Sequence, residues 1–228
     1  MRNYAYIVSL LGLFLVAITG CQVQPKPPTP VSPVPQIAPQ AVQYNDRGVT
    51  LARSGKYEQA ITEFTRAIEL DATYVDAYIN RGIAYTYTRE DDKALADYSK
   101  VIALKPEDAG AYNYRGNTYT NKGEYDKAIA DFNRAVGLDP RYTAAYNGRG
   151  NAYFRKKDYD RAVGDYSKAL ELAPNYALAY FNRGVVYREM GNKPYAIDDF
   201  TKCAAIATDP MLAQAARFEI NDMLSQPN

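Results

Sequence analysis

Apolar positions fall into three patterns along the chain. Tyr4 to Thr19 is an apolar run without charge, preceded by Met1-Arg2-Asn3, and this is the shape of a secretory leader rather than a span, which needs about 20 apolar residues. Gln22 to Gln40 is broken by seven prolines in 19 residues and carries one charge, Lys26. Proline fixes φ and removes a donor, so this segment is expected to be an extended tether, about 60 Å long at ~3.1 Å per residue. Its Pro27 and Pro30 form a PxxP, but a groove-binding ligand would want a basic flank pattern that is missing. From Ala41 onward, small and large residues alternate at helical spacing.

That last pattern repeats every 34 residues. Arg-Gly pairs stand at Arg47-Gly48, Arg81-Gly82, Arg115-Gly116, Arg149-Gly150 and Arg183-Gly184. Twelve residues past each Gly is an Ala (Ala60, Ala94, Ala128, Ala162, Ala196), and four further on an aromatic (Phe64, Tyr98, Phe132, Tyr166, Phe200). The spacing predicts two helices per unit. Helix A runs from a Tyr column (Tyr44, Tyr78, Tyr112, Tyr146, Tyr180) to the residue before Gly55, Arg89, Gly123, Lys157 or Gly191, and helix B carries the Ala and aromatic columns. Small residues sit where helices approach closely, aromatics fill the gaps, and Pro106, Pro140 and Pro174 mark turns that no helix can cross. Asp209-Pro210 starts a further helix, with Leu212, Ala216, Ile220 and Met223 on one face to cover the last unit.

A 34-residue period with these columns resembles the tetratricopeptide repeat over about 170 of the 228 residues. The Tyr column takes the family's Trp position, Leu51, Tyr85, Tyr119, Tyr153 and Tyr187 its Tyr position, and Pro106, Pro140 and Pro174 its closing Pro. The first unit has Ala72 at that last position, and the fifth extends to Pro210. The resemblance implies an all-α, right-handed α-solenoid of five helix-turn-helix units at 41–74, 75–108, 109–142, 143–176 and 177–210, with residues 211–228 as capping helix and tail. One column departs from the family, whose usual Leu is Arg in every unit. Helix B supplies an acid each time (Glu63, Asp97, Asp131, Asp165, Asp199), and the pairs are expected to form an inter-helix ladder. Exposed pairs contribute about 0 to 1 kcal/mol each, so such a ladder would set register more than stability.

Ala17-Ile18-Thr19-Gly20-Cys21 resembles the lipobox of bacterial lipoproteins, which implies cleavage after residue 20 and lipid on Cys21. Gln22 after the Cys resembles the sorting pattern for the outer membrane, with the folded part facing the periplasm. Lipidation of Cys21 leaves Cys203 alone, so no internal disulfide can form, and Cys203 fits a column of small residues (Ala67, Val101, Ala135, Ala169) as core.

Composition narrows the function. No His is present, which removes Ser-His-Asp and Cys-His centres and His-ligated metals, and no catalytic constellation, metal site or cofactor is expected. The net charge is +1, and loss of residues 1–20 leaves 26 basic and 26 acidic side chains, without the patch that nucleic acid requires.

In the family helix A lines the concave face, so a ligand would meet the columns that vary between units. Those columns hold Asn113 and Asn117, then Asn147 and Asn151, each pair spaced i, i+4 and so on one helix face. Amides of this kind suit a peptide backbone. The flanks are apolar: Val49, Ile79 and Ile83 on one side, Leu178, Phe181 and Val185 on the other, with Arg53, Asn121, Phe154, Arg155 and Arg188 at the border. The cationic set with which chaperone-binding members hold a terminal carboxylate is replaced here by Asn45, Val49, Asn80, Gly110 and Tyr114. The resulting expectation is a non-catalytic adaptor whose groove takes envelope proteins or peptides, similar to lipoproteins of peptidoglycan-hydrolase, pilus or outer-membrane assembly complexes. The apolar groove ends would equally suit a second copy of the chain. The other class is peptidoglycan binding through Tyr faces and Asn amides, although most of the 22 Tyr fall in packing columns.

Overall fold

The computed structural model describes residues 37–225. Among them are eleven α-helices and no strand: α1 (Pro39–Arg53), α2 (Tyr57–Leu70), α3 (Val75–Tyr87), α4 (Asp91–Leu104), α5 (Ala109–Asn121), α6 (Tyr125–Leu138), α7 (Thr143–Arg155), α8 (Tyr159–Leu172), α9 (Ala177–Glu189), α10 (Lys193–Ile206) and α11 (Pro210–Ser225). The leader, Cys21 and the tether up to residue 36 lie outside the described residues. Odd-numbered helices through α9 are helix A of each unit and even-numbered ones helix B; each packs on the next, and neighbouring A helices also touch. The result is an all-α solenoid closed by α11.

The turns obey the residues that occupy them. Each A-to-B turn puts one residue at positive φ: Gly55, Arg89, Gly123, Lys157 and Gly191. At the first, Gly55 N–H donates to Ala52 and Lys56 N–H to Leu51, the paired bonds of a Schellman cap that satisfy the last carbonyls of α1. The A helices begin about three residues before the Tyr column, because the carbonyl of a turn residue already accepts the first bond: Ala77 N–H donates to Tyr74 and Ala145 N–H to Tyr142. First-turn N–H groups need no helical partner, so sequence periodicity does not mark that boundary. For the same reason Pro39 is tolerated as the first residue of α1, and the two residues at the end of the tether are helical.

The core confirms the pairing of small and large columns. A Cβ placed on Gly48, Gly82 or Gly150 would come within 2.5, 2.6 or 2.8 Å of the ring of Phe64, Tyr98 or Tyr166 on helix B of the same unit. Those rings are buried, and the Ala column beside them has no exposed surface. Cys203 is fully buried against Ala216 and Met223 of α11, and burial pushes its thiol pKa up. Asp209 caps α11 by accepting from Met211 N–H at 2.9 Å.

The Arg-acid ladder forms in every unit, but it is not the exposed set expected. Arg115 grips Asp131 with two bonds, Nε to Oδ2 at 2.7 Å and Nη2 to Oδ1 at 2.8 Å, and its Nη1 reaches back to Ser99 Oγ at 3.1 Å on helix B of the preceding unit. Arg81 does the same with Asp97 and Thr65, Arg149 with Asp165 and Asn133, and Arg183 with Asp199 and Ser167. The four Asp carboxylates are buried because the neighbouring helices cover them. Bonding to its acid raises the guanidinium pKa of Arg115, Arg149 and Arg183 further. Among the described residues only the first rung, Arg47 to Glu63 at 2.8 Å, has no preceding helical unit over it, and its Arg side chain is 55% exposed.

Candidate functional site

Three depressions run along the A helices. The first, about 330 Å³, lies between α1 and α3 over Val49, Ala52, Asn80 and Ile83, with Tyr57 and Tyr87 at its rim. The second, about 580 Å³, is lined by Thr86, Tyr87, Arg89, Asp91, Thr120, Asn121, Tyr125 and Arg155. The third, about 340 Å³, lies between α7 and α9 over Asn151, Phe154, Tyr166, Phe181, Asn182 and Val185, again with Thr120, Asn121 and Arg155. Tyr87 belongs to the first and second, and Thr120, Asn121 and Arg155 to the second and third, so the three make one groove.

The sequence-based candidates divide on this surface. Val49 and Ile83 floor the first depression, and Asn151, Arg155, Phe181 and Val185 line the third. Asn117 is exposed on the same column between them. Ile79 is half-buried against the core of the first two units. Asn113 and Asn147 are not on the groove. They are 4% and 5% exposed and lie in the seam between successive A helices. There Asn147 Oδ1 accepts from Asn182 Nδ2 at 3.1 Å, just as Asn45 Oδ1 accepts from Asn80 Nδ2 at 2.9 Å. The spacing of 35 residues is the signal for this pairing, and Asn113 breaks it because Gly148 stands where the partner amide would be. Its Oδ1 is buried with no hydrogen-bond partner among the described residues. The expected patch of four amides therefore reduces to Asn117 and Asn151, joined by Asn121 and the free edges of Asn80 and Asn182.

Asn151 also serves the fold, since its Oδ1 accepts from the buried Tyr166 hydroxyl at 2.6 Å. Burial pushes the Tyr166 pKa well above the ordinary phenol value. The border arginines separate by partner. Arg188 is tied to Glu219 of α11, whereas the side chains of Arg53, Arg89 and Arg155 make no hydrogen bond or ion pair among the described residues. Residues that sequence columns did not bring forward are Tyr57, Tyr87 and Arg89. The two rings stack across units, centroids 4.4 Å apart and 3° from parallel; both line the first depression, and Tyr87 also lines the second.

No three His, Cys, Asp or Glu side chains gather to hold a metal among the described residues. No helix among them is long and apolar enough to cross a membrane. The groove offers hydrogen bonds, apolar contacts and unpaired cations, which is the chemistry of holding an extended chain.

The model of the family described as TPR repeat matches residues 48–86, 116–157 and 150–191, and two further tetratricopeptide-repeat models match 75–108 and 98–130. The chain belongs to the tetratricopeptide-repeat family. No curated protein matches it in sequence. Among solved structures, a crystal structure of MamA protein is 25% identical, with a TM-score of 0.62 over 73% of this chain and 91% of that one. YrrB, described as a TPR protein with an unusual peptide-binding site, is 25% identical, with a TM-score of 0.58 over 78% of this chain and 92% of that one. TTC0263, a thermophilic TPR protein of Thermus thermophilus, shares the fold at 21% identity, with a TM-score of 0.68 over 82% of this chain and all of that one. TPR proteins are in general non-catalytic interaction scaffolds, and the groove of this TPR chain lies on its A helices.

Proposed function

We propose that the protein is a lipid-anchored adaptor of the bacterial envelope that holds peptide segments of other proteins in the groove along α1, α3, α5, α7 and α9. The observation that carries the peptide part is the continuity of the three depressions through Tyr87, Asn121 and Arg155. A long furrow with amides in the middle and Val49, Ile83, Phe181 and Val185 at its ends suits an extended chain better than a compact small molecule. The unusual peptide-binding site ascribed to YrrB supports the same reading. The envelope part rests on the leader and on Cys21 in its small-residue setting, followed by the proline tether. Lipid on Cys21 would hold the solenoid to the outer membrane, and the tether would let it work away from the surface on the periplasmic side.

Peptidoglycan binding through tyrosines has less to stand on. Tyr57 and Tyr87 already occupy one face of each other's rings, and Tyr98 and Tyr166 are buried.

The test is crosslinking and recovery of the full-length protein from its native envelope, comparing the wild type with an Asn117→Ala/Arg155→Gln variant. Both side chains are exposed, so the variant leaves the core intact. Recovery of assembly or cell-wall proteins by the wild type and their loss in the variant is the expected result. Undiminished recovery would move the binding surface off the groove, and co-sedimentation with insoluble peptidoglycan in place of any protein would replace the adaptor. Labelling with radioactive palmitate, lost in Cys21→Ser, tests the anchor separately.

A further inference from the structure

The groove is not uniform, and its order of chemistry specifies an occupant. The first depression has an apolar floor of Val49 and Ile83, with Arg53 and Asn80 at its edge. The third sets the apolar walls of Phe154, Phe181 and Val185 among the amides of Asn121, Asn151 and Asn182, and shares Arg155 with the second. Between them lies the depression of greatest volume among the three, about 580 Å³, where Arg89 and Arg155 line one space.

Both arginines are exposed and have no ionic partner among the described residues, although acids are close by in the chain. The neighbouring acids are engaged elsewhere: Asp92 with Lys122, Asp126 with Lys156, Glu90 with Lys93 and Glu124 with Lys127. Asp91, the remaining acid of the depression, stands at the first residue of α4, where a negative charge complements the helix dipole. Two guanidinium groups beside the amide of Asn121 therefore share the depression with one carboxylate, Asp91, which bonds neither of them, and one positive charge is left over. Guanidinium forks are matched by carboxylates.

Spacing follows from the helices. The apolar depressions straddle α1/α3 and α7/α9, three A-helix steps apart. At about 8 to 10 Å between packed helices, this is roughly 25 to 30 Å, or about eight to nine residues of extended chain at ~3.3 Å each.

We propose that the occupant is an extended peptide segment with an acidic side chain near its centre and an apolar side chain toward each end, the two anchors about eight or nine residues apart. This rests on the peptide-groove reading above and adds the sequence class of the ligand to it. The carboxylate belongs to an internal Asp or Glu, because the groove continues past Arg89 and Arg155 in both directions and a chain terminus there would leave one apolar end empty.

A random 14-residue peptide library, fused at its C-terminus so that it presents no free α-carboxylate, is selected on the full-length protein and on Arg89→Gln/Arg155→Gln. The wild type is expected to enrich peptides with Asp or Glu between two apolar positions at that spacing. Changing that acid to its amide should weaken binding about fivefold, as an incompletely buried ion pair would. The double variant should lose the acidic preference and keep the apolar one. Enrichment without an acidic preference, or an acidic preference unchanged in the variant, would overturn the charge assignment and leave the groove in place. A preference seen only with a library bearing free α-carboxylates would overturn the internal acid in favour of a terminus. No enrichment by the wild type in either library would overturn the groove reading itself.

Discussion

Along one seam of the solenoid, Arg81, Arg115, Arg149 and Arg183 repeat a single arrangement: two bonds to an Asp of the same unit and one to a Thr, Ser or Asn of the unit before. Two residues beyond each Arg, the same four helices present Ile83, Asn117, Asn151 and Val185 to the groove. The contrast shows how a repeat protein separates its two tasks. Stacking requires the same geometry at every junction, so the residues that perform it recur. Recognition requires a particular ligand to be read from end to end, so the groove column changes along the chain. The Arg ladder is accordingly a joint between units, and the groove is the part free to specialise.

The largest way to break the joint is to remove one acid from an inner rung. Asp131→Ala leaves the half-buried Arg115 guanidinium without its carboxylate, and stability is expected to fall by roughly 2 to 3 kcal/mol, read by urea unfolding. The next effect comes from the small column. Gly82→Ala places a Cβ about 2.6 Å from the Tyr98 ring. The gain in helix propensity, about 1 kcal/mol, is outweighed by overpacking, for a net loss of about 1 to 2 kcal/mol.

Alkaline pH acts on the same core. Burial raises the phenol pKa of Tyr98 and Tyr166 above the ordinary value of 10.0, so the folded chain keeps protons that the unfolded chain releases. Their contribution is fully present below pH 10 and is lost as pH rises beyond it toward the folded values. Phe fills this column in the other three units, so a Tyr98→Phe/Tyr166→Phe chain should fold and show a shallower alkaline decline in melting temperature. The smallest effect is expected at the exposed end rung, where Glu63→Ala should shift the melt far less than Asp131→Ala. Equal shifts would mean that burial by a preceding unit does not set the strength of a rung.

Much of this architecture was legible in the residues. The 34-residue period placed the turns at Gly55, Arg89, Gly123, Lys157 and Gly191, and the Arg and acid columns announced their pairing. What a column could not show is what covers it. Periodicity assigns a residue to a helix face, but burial of that face depends on the next unit, which is why Asn113 and Asn147 read as groove amides and lie in the seam. The same blindness made the ladder look exposed. Thr65, Ser99, Asn133 and Ser167, two residues after each acid, were the available sign that each Arg also reaches a second helix B. Arg89 was hidden differently, because its column is otherwise Gly or Lys and reads only as a turn.

The central claim is that the two sides of the A helices are independent, one for stacking and one for binding. It is tested most directly by measuring melting temperature and affinity for a selected peptide on the same Asn117→Ala/Arg155→Gln protein. Neither side chain is buried, so the melting temperature should stay within about 2 °C of wild type, as surface changes do, while peptide affinity falls by about fivefold or more. A protein that binds as tightly as wild type, or one that melts as early as Asp131→Ala, would contradict that separation.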